Sequence, residues 1–445
     1  MDETLGSASV STKRQRIADL AKRAPGMVFT TLAHHIDLAW LQEAYRHLRK
    51  DGAPGVDGQT ADEYATHLDD HLALLLDRFK AGTYWAPPVR RVEIPKGDGR
   101  RTRPIGIPTV EDKVLQRGVA LLLEAIYEQD FRDSSYGFRP GRSAHQALSK
   151  LQRELTMTRG GWVYEVDIQG CFDTLDHGHL RRFLDQRVRD GVVRRMIDKW
   201  LKAGVLEGGV VRHPELGTPQ GGVISPLLAN VYLHEVLDTW VEDVVRPRLR
   251  GRAFLIRYAD DFVIGFTRED DARRVAAVLP KRFGKYGLTL HPEKTRLIPF
   301  RLPSKTAGGS STKPGTFDFL GFTHYWRRSR RGTWVVGQKT AKGRFSRALK
   351  RVQDWCRANR HRSLAEQQRS LRLKLRGHYG YYGVTGNLAA LKRFAYEVHR
   401  RWQKWLNRRS QRAKMPWERF QHLLDRYPLP KPTVVHSIYR HAANP

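Results

Sequence analysis

The stretch Phe254-Leu-Ile-Arg-Tyr-Ala-Asp-Asp-Phe-Val-Ile-Gly-Phe266 limits what this chain can fold into more than any other. Two apolar runs, Phe254–Ile256 and Phe262–Phe266, have the aromatic and β-branched character of strands. Between them lie two adjacent carboxylates, Asp260 and Asp261. The pattern predicts a β-hairpin that presents both acids at its tip. Like charges on a tight turn repel, so the turn calls for a cation, and carboxylate oxygens suit Mg²⁺. The alternative is a solvated Asp-Asp turn, because Asp is a common turn residue.

Composition narrows the choice of partner. With 445 residues and a 40% hydrophobic content, the chain can build two or three cored domains. No run approaches the roughly 18–20 apolar residues of a membrane span. Met1-Asp-Glu-Thr-Leu-Gly lacks the basic-then-apolar pattern of an export signal, and Cys171 and Cys356 form no CxxC pair. These features predict a cytoplasmic protein without a disulfide framework. The net charge of +33 predicts a polyanionic partner, nucleic acid before membrane, since the basic residues are spread over segments that also need a core. Between Ala341 and Arg440 there are 25 Lys and Arg against 5 Asp and Glu.

Taken in order, residues 1–26 read as a frayed tail or a short helix. Leu38–Lys50 and Ala61–Ala81 have helical spacing, separated by the Gly- and Pro-rich loop Asp51–Gly58. Arg90–Pro95 and Arg100–Pro108 read as a hairpin around Lys96-Gly-Asp-Gly99, from which Lys96 and Arg103 project; two solvated cations are the alternative. A helix follows at Glu111–Tyr127, then a turn at Tyr136–Arg142. Trp162-Val-Tyr-Glu-Val-Asp-Ile168 reads as a buried strand whose last acid, Asp167, is either a helix cap or a site residue. Gly217-Thr-Pro-Gln-Gly-Gly222 is a tight loop before a long helix, Ser225–Trp240. Residues 301–316 read as a flexible insertion. The basic last quarter has helical apolar spacing through Leu388, Leu391, Phe394, Val398, Trp402 and Leu406, so it is a small helical domain with a basic exterior. His177, His179 and His291 lack ligand spacing and read as satisfied surface or loop residues.

A strand-terminal Asp and an Asp-Asp hairpin are what two-metal phosphoryl transfer requires, with ions about 3.5–4 Å apart and cations for the triphosphate. Here the sequence resembles a known family. Tyr258-Ala-Asp-Asp261 is similar to the YxDD motif of reverse transcriptases, and Val166-Asp-Ile-Gln-Gly-Cys-Phe-Asp173 to their first catalytic strand. Further blocks follow in the same order: Asp51–Gly58; Ile94-Pro-Lys with Arg103–Pro108; Tyr136–Arg142; Gly217–Asn230; and Phe319-Leu-Gly-Phe322. Together these resemble a group II intron-encoded reverse transcriptase/maturase over about residues 35–430.

The resemblance implies an α+β right-hand polymerase. Its expected parts are an N-terminal tail (1–34), fingers (35–160), palm (161–338), the start of a thumb (339–375), and the thumb end with maturase domain X (376–445), the last two helical. Asp167, Asp260 and the weaker participant Asp261, with the Ile168 carbonyl, would hold two Mg²⁺ ions, for which Mn²⁺ could substitute. Lys96 and Arg103 would hold the dNTP triphosphate. Phe172 would act as a steric gate against the ribose 2′-hydroxyl, with core packing as its other role. Gln220 would contact the incoming nucleotide or serve only the loop. Arg139, Arg142, Arg376, Arg408, Arg409, Arg412 and Lys414 are the expected RNA contacts. Implied partners are an intron RNA, an RNA template with a DNA primer, target DNA and dNTPs, without a membrane. No HNH or zinc-type endonuclease segment follows, so the resemblance implies the short type that uses a pre-existing DNA 3′ end. A host-adopted relative serving repair or defence, and a splicing-only RNA-binding maturase, are the rival readings.

Overall fold

The computed structural model describes residues 2–95, 102–212, 216–218, 220–303, 315–410 and 414–437, and the chain divides into two compact units. The first comprises Met1–Ala147 and Tyr164–Leu297; the second comprises Leu148–Val163 and Ile298–Pro445.

The first unit opens on α1 (Asp2–Arg23), a full 22-residue helix where the sequence reads as a frayed tail or a short helix. Its buried Val10, Ile17 and Ala21 recur at helical spacing. Arg187, far along the chain, accounts for the rest: its guanidinium donates to the carbonyls of Ala21, Ala24, Pro25 and Met27 while pairing with Asp130 at 2.8 Å. No local pattern announces such a long-range clamp. Next come α2 (Leu38–Arg46), α3 (Ala61–Ala65) and α4 (Leu68–Lys80). The last two break the single helix expected over Ala61–Ala81, and Thr60 and Glu63 form a capping box at the first of them.

Strands β1 (Val89–Pro95) and β2 (Thr102–Ile107) are antiparallel, with Ile94 opposite Arg103. Lys96 and its turn lie outside the described residues. Helix α5 (Val110–Asp130) is buried around most of its circumference, the mark of a central helix. Its Asp112 carboxylate is fully enclosed and accepts from Trp200 Nε1 (2.7 Å), Gln116 Nε2 (2.9 Å) and the Tyr84 hydroxyl (3.2 Å). Burial nevertheless outweighs these donors and pushes its pKa up to about 6. A carboxyl raised in the folded state stabilises fully below its unfolded value near 4, and that contribution is lost as pH rises through about 6. The wild type should therefore lose up to about 3 kcal/mol between pH 4 and 7 that Asp112→Asn does not lose. Urea midpoints of both proteins across that range check it.

The chain continues through α6 (Ala144–Met157), β3 (Gly160–Asp167), α7 (His177–Asp185), α8 (Gly191–Lys202), β4 (Val205–Glu207) and β5 (Val210–Arg212). Helix α9 (Ser225–Leu233) widens into π-type turns over His234–Asp238 and Trp240–Val245. Then come β6 (Ala253–Tyr258), β7 (Asp261–Phe266), α10 (Glu269–Lys285) and β8 (Arg296–Arg301). One sheet has the order β2-β1-β4-β5. Another, β6-β7-β3-β8, sets the acidic hairpin beside the strand that ends in Asp167.

The second unit holds the sheet β11-β10-β9, built from β9 (Phe317–Phe319), β10 (Phe322–Arg328) and β11 (Trp334–Thr340). Four helices follow: α11 (Lys342–Ala358), α12 (Leu364–Tyr382), α13 (Leu388–Leu406) and α14 (Trp417–Arg426). Leu371, Leu375, Leu391, Phe394, Val398, Trp402 and Phe420 form their common core. The helical spacing in the last quarter is thus a core stripe. Of the insertion expected at 301–316, residues 304–314 lie outside the described residues.

Candidate active site

The hairpin is tighter than its sequence suggests. Tyr258 pairs with Asp261, which leaves Ala259 and Asp260 as a two-residue turn. Ala259 has φ 58°, the left-handed region that normally selects Gly at the first position of such a turn. A strained alanine persists only where its surroundings over-determine it, and here three do. Arg257, whose side chain is fully buried, donates through a terminal nitrogen to the Ala259 carbonyl (3.1 Å) and to Asn230 Oδ1 (2.9 Å). Its other nitrogens grip both oxygens of buried Asp238 at 2.8 and 2.6 Å. On the other side the Gly137 backbone abuts the turn, so closely that a Cβ on residue 137 would collide with the Ala259 nitrogen. The Gly137 carbonyl is in turn held by Asn230 Nδ2 (2.8 Å).

Asp260 is half-buried rather than presented to solvent. Burial pushes its pKa up, and the nearby Asp167 charge pushes the same way; its own backbone amide, Arg103 and Arg257 oppose them. Asp167 and Asp260, distant in sequence, therefore share one electrostatic site, and Arg103 from β2 bears on it. Asp261, the first residue after the turn, opens β7 and is half-buried.

Asp167 is held by its backbone: its carbonyl accepts from the His291 amide and the Gln169 amide donates to the Thr289 carbonyl, both at 2.8 Å. This bridge between Ile168 and Leu290 turns the Ile168 carbonyl away from Leu290, as antiparallel pairing requires. The Asp167 side chain meets Lys294, whose Nζ lies 2.8 Å from Oδ2. Lys294 carries no sequence signal, because nothing local distinguishes it among 79 Lys and Arg.

The loop before α9 is fixed to both neighbouring elements. Gly217 (φ 85°) packs so that a Cβ would sit 2.7 Å from the Phe172 carbonyl, and Gly221 (φ 115°) likewise abuts Gly106 of β2. The Thr218 amide donates to Phe172 O (2.7 Å), and the Gln220 carbonyl accepts from the Gly106 amide (2.6 Å). His177 is buried, not a surface histidine, and its Nε2 binds the Gly217 carbonyl at 2.6 Å. Gln220 spends its side-chain amide on Asp173 Oδ2 (2.9 Å). Phe172 is only half-buried, so its ring is not simply core.

These carboxylates fit a divalent ion. Burial and the neighbouring Asp167 charge raise the cost of ionising Asp260, and the Lys294 ammonium already pairs with Asp167. Mg²⁺ is usually held by one or two carboxylates completed by substrate phosphates. Among the described residues, no three His, Cys, Asp or Glu side chains converge as a ligand set. Lys294 competes for Asp167, so Lys294→Met should bind Mn²⁺ several-fold more tightly, measured by the electron paramagnetic resonance of free Mn²⁺. Equal affinity would mean that Lys294 does not oppose a metal there.

The expected RNA contacts divide on inspection. Arg139 is a correction: its side chain is 3% exposed, chelates Glu128, and donates to the carbonyls of Arg132 and Ser135. It builds the 132–142 turn and has no free face for RNA. Arg142 pairs with Asp133 at 2.6 Å and lies over the Tyr136 ring. Arg409 donates to the Arg360 and Arg362 carbonyls, closing the α11–α12 connection. Arg376, Arg408 and Lys414 are exposed; Arg412 lies outside the described residues. Accordingly, Arg139→Gln should lower the melting temperature, whereas Arg376→Gln should leave it unchanged and reduce the salt dependence of RNA binding. Melting curves and salt titrations separate the two.

A polymerase-type palm with its acids in this order defines a class, and sequence comparison agrees. Residues 94–324 match the family described as Reverse transcriptase (RNA-dependent DNA polymerase), just over half of the chain. The chain belongs to that family. It is 40% identical over 230 residues to the group II intron-encoded protein LtrA of Lactococcus lactis subsp. cremoris, covering 51% of this chain and 38% of that protein. It is 35% identical over 287 residues to protein YkfC of Escherichia coli K12, covering 57% and 75% respectively. A third relative is the mitochondrial nuclear intron maturase 2 of Arabidopsis thaliana, at 30% over 135 residues, covering 28% and 18%. The chain thus spans well under half the length of the intron-encoded protein LtrA that it matches.

Proposed function

We propose that this protein is an RNA-directed DNA polymerase of a mobile group II intron, and that it also binds that intron's RNA to assist splicing and retrohoming. The observation that carries the polymerase reading is the sheet β6-β7-β3-β8, which sets the Asp260 turn beside the strand that ends in Asp167, with Arg103 bearing on the Asp260 carboxyl. Asp167, Asp260 and the Ile168 carbonyl would hold two Mg²⁺ ions, with Asp261 contributing less. Bound there, such ions activate a primer 3′-hydroxyl and stabilise departing pyrophosphate. Arg103, and Lys96 beyond the described residues, would bind the triphosphate. Phe172 would exclude a ribose 2′-hydroxyl, and Gln220 would exchange Asp173 for the incoming nucleotide.

The maturase half of the reading rests on charge. The last quarter is strongly basic over a helical core, and a relative is named as an intron-encoded protein. In this reading α11–α13 form the thumb and α14 begins domain X, with Arg376, Arg408 and Lys414 on phosphates and exposed aromatics on unpaired bases. No helix among the described residues is long and apolar enough to cross a membrane. On the strength of its bacterial relatives we place the protein's work in the bacterial cytoplasm. Poly(rA)/oligo(dT) with dTTP and Mg²⁺ is the test of the polymerase reading. Mg²⁺-dependent extension supports it, and none from a folded wild type defeats it.

A further inference from the structure

Phe138 combines two costs in one residue. Its ring is 56% exposed, and its backbone has φ 56°, a conformation unfavourable for any residue with a bulky side chain. The surroundings enforce that backbone. On one side Gly137 is wedged against the Ala259 amide, and the Tyr136 amide donates to the Arg257 carbonyl at 2.9 Å. On the other, Arg139 is locked by Glu128 and by the Arg132 and Ser135 carbonyls. Between two immobilised neighbours, the chain turns an aromatic ring out to water at the residue after Gly137, which packs on the Ala259–Asp260 turn. Strain of this kind gathers at functional sites. An exposed flat ring beside a polymerase centre has an obvious chemical complement in the face of a nucleobase.

We propose that Phe138 is a positioning residue that stacks on a nucleobase held beside the Ala259–Asp260 turn, in the template, the primer or the incoming nucleotide. This rests on the polymerase reading. It differs from the roles given to Arg139 and Arg142 because it acts through the ring and carries no charge. Stacking tolerates any base, so the contact orders the strand without reading its sequence.

The test compares Phe138→Leu with Phe138→Tyr in single-turnover extension of a DNA primer on an RNA template. Loss of one base–aromatic stack should lower kcat/KM by about ten- to a hundredfold in the leucine variant. The tyrosine variant should stay within about twofold of wild type, with melting temperatures unchanged in both. Abasic sites placed in turn along template and primer locate the partner. At the position that stacks on Phe138, the abasic lesion and Phe138→Leu give no more than the loss of either alone. If the partner is the incoming nucleotide, the loss falls on the KM for dNTP, and every abasic position is additive. The assignment is overturned if Phe138→Leu equals wild type, or if Phe138→Tyr loses as much as Phe138→Leu. A wild type that does not extend at all removes the polymerase reading, and this assignment falls with it.

Discussion

Asp260→Ala is expected to lower the rate of primer extension by on the order of a thousandfold or more, the several kcal/mol that a metal ligand of this kind commands. The same substitution should not damage the fold. In the metal-free protein the Asp260 carboxylate is disfavoured by burial and by Asp167, so removing it relieves a cost. The melting temperature without added metal should stay level or rise, and added Mg²⁺ should stabilise the variant less than the wild type. Activity and stability moving in opposite directions is the signature of a functional group held at structural expense. Asp261→Ala should lose less activity, because the carboxyl that feels the Asp167 charge is that of Asp260 in the turn, whereas Asp261 opens β7. Equal losses in the two variants would contradict that division of labour.

The largest expected effect on stability lies beneath the turn. Arg257→Met leaves Asp238 as a buried, unpaired charge, a change that typically costs about 3–5 kcal/mol. In the wild type burial holds the His234 pKa down to about 4, with its Nδ1 4.0 Å from the Asp238 carboxylate, so Arg257 is the cation that pairs with Asp238. Adding Asp238→Leu removes the orphaned charge and should restore much of the stability, as replacement of a whole buried pair often does. Extension should not recover with it, because the double variant still lacks the bond to the Ala259 carbonyl. Affinity for primer–template should remain near wild type while kcat stays low. Recovery of kcat along with stability would show that Arg257 serves the fold alone.

The acids of the site were legible in the sequence because each is framed by its own local pattern. Asp260 sits between two apolar runs, and Asp167 ends a strand. The surface arginines expected to meet RNA were less legible, because an arginine's role depends on what lies opposite it. Arg139 and Arg376 look alike in the chain, yet one is clamped by Glu128 and the other faces water. Lys294, Arg257 and Asp238 were silent for the same reason: their partners lie 127 residues away for Lys294 and 19 for the Arg257–Asp238 pair. The long N-terminal helix was missed because its anchor, Arg187, is equally remote. The strain at Ala259 and Phe138 has no sequence mark, since both are ordinary residues in a conformation imposed by neighbours.

The most direct measurement is addition of a single nucleotide to a 5′-labelled DNA primer on an RNA template of defined sequence, using wild type and Asp260→Ala with and without Mg²⁺. The account predicts rapid addition of the complementary dNTP by wild type only, dependent on Mg²⁺, with the ribonucleotide strongly disfavoured. No addition by a folded wild type, or equal rates in the Asp260→Ala variant, would contradict it.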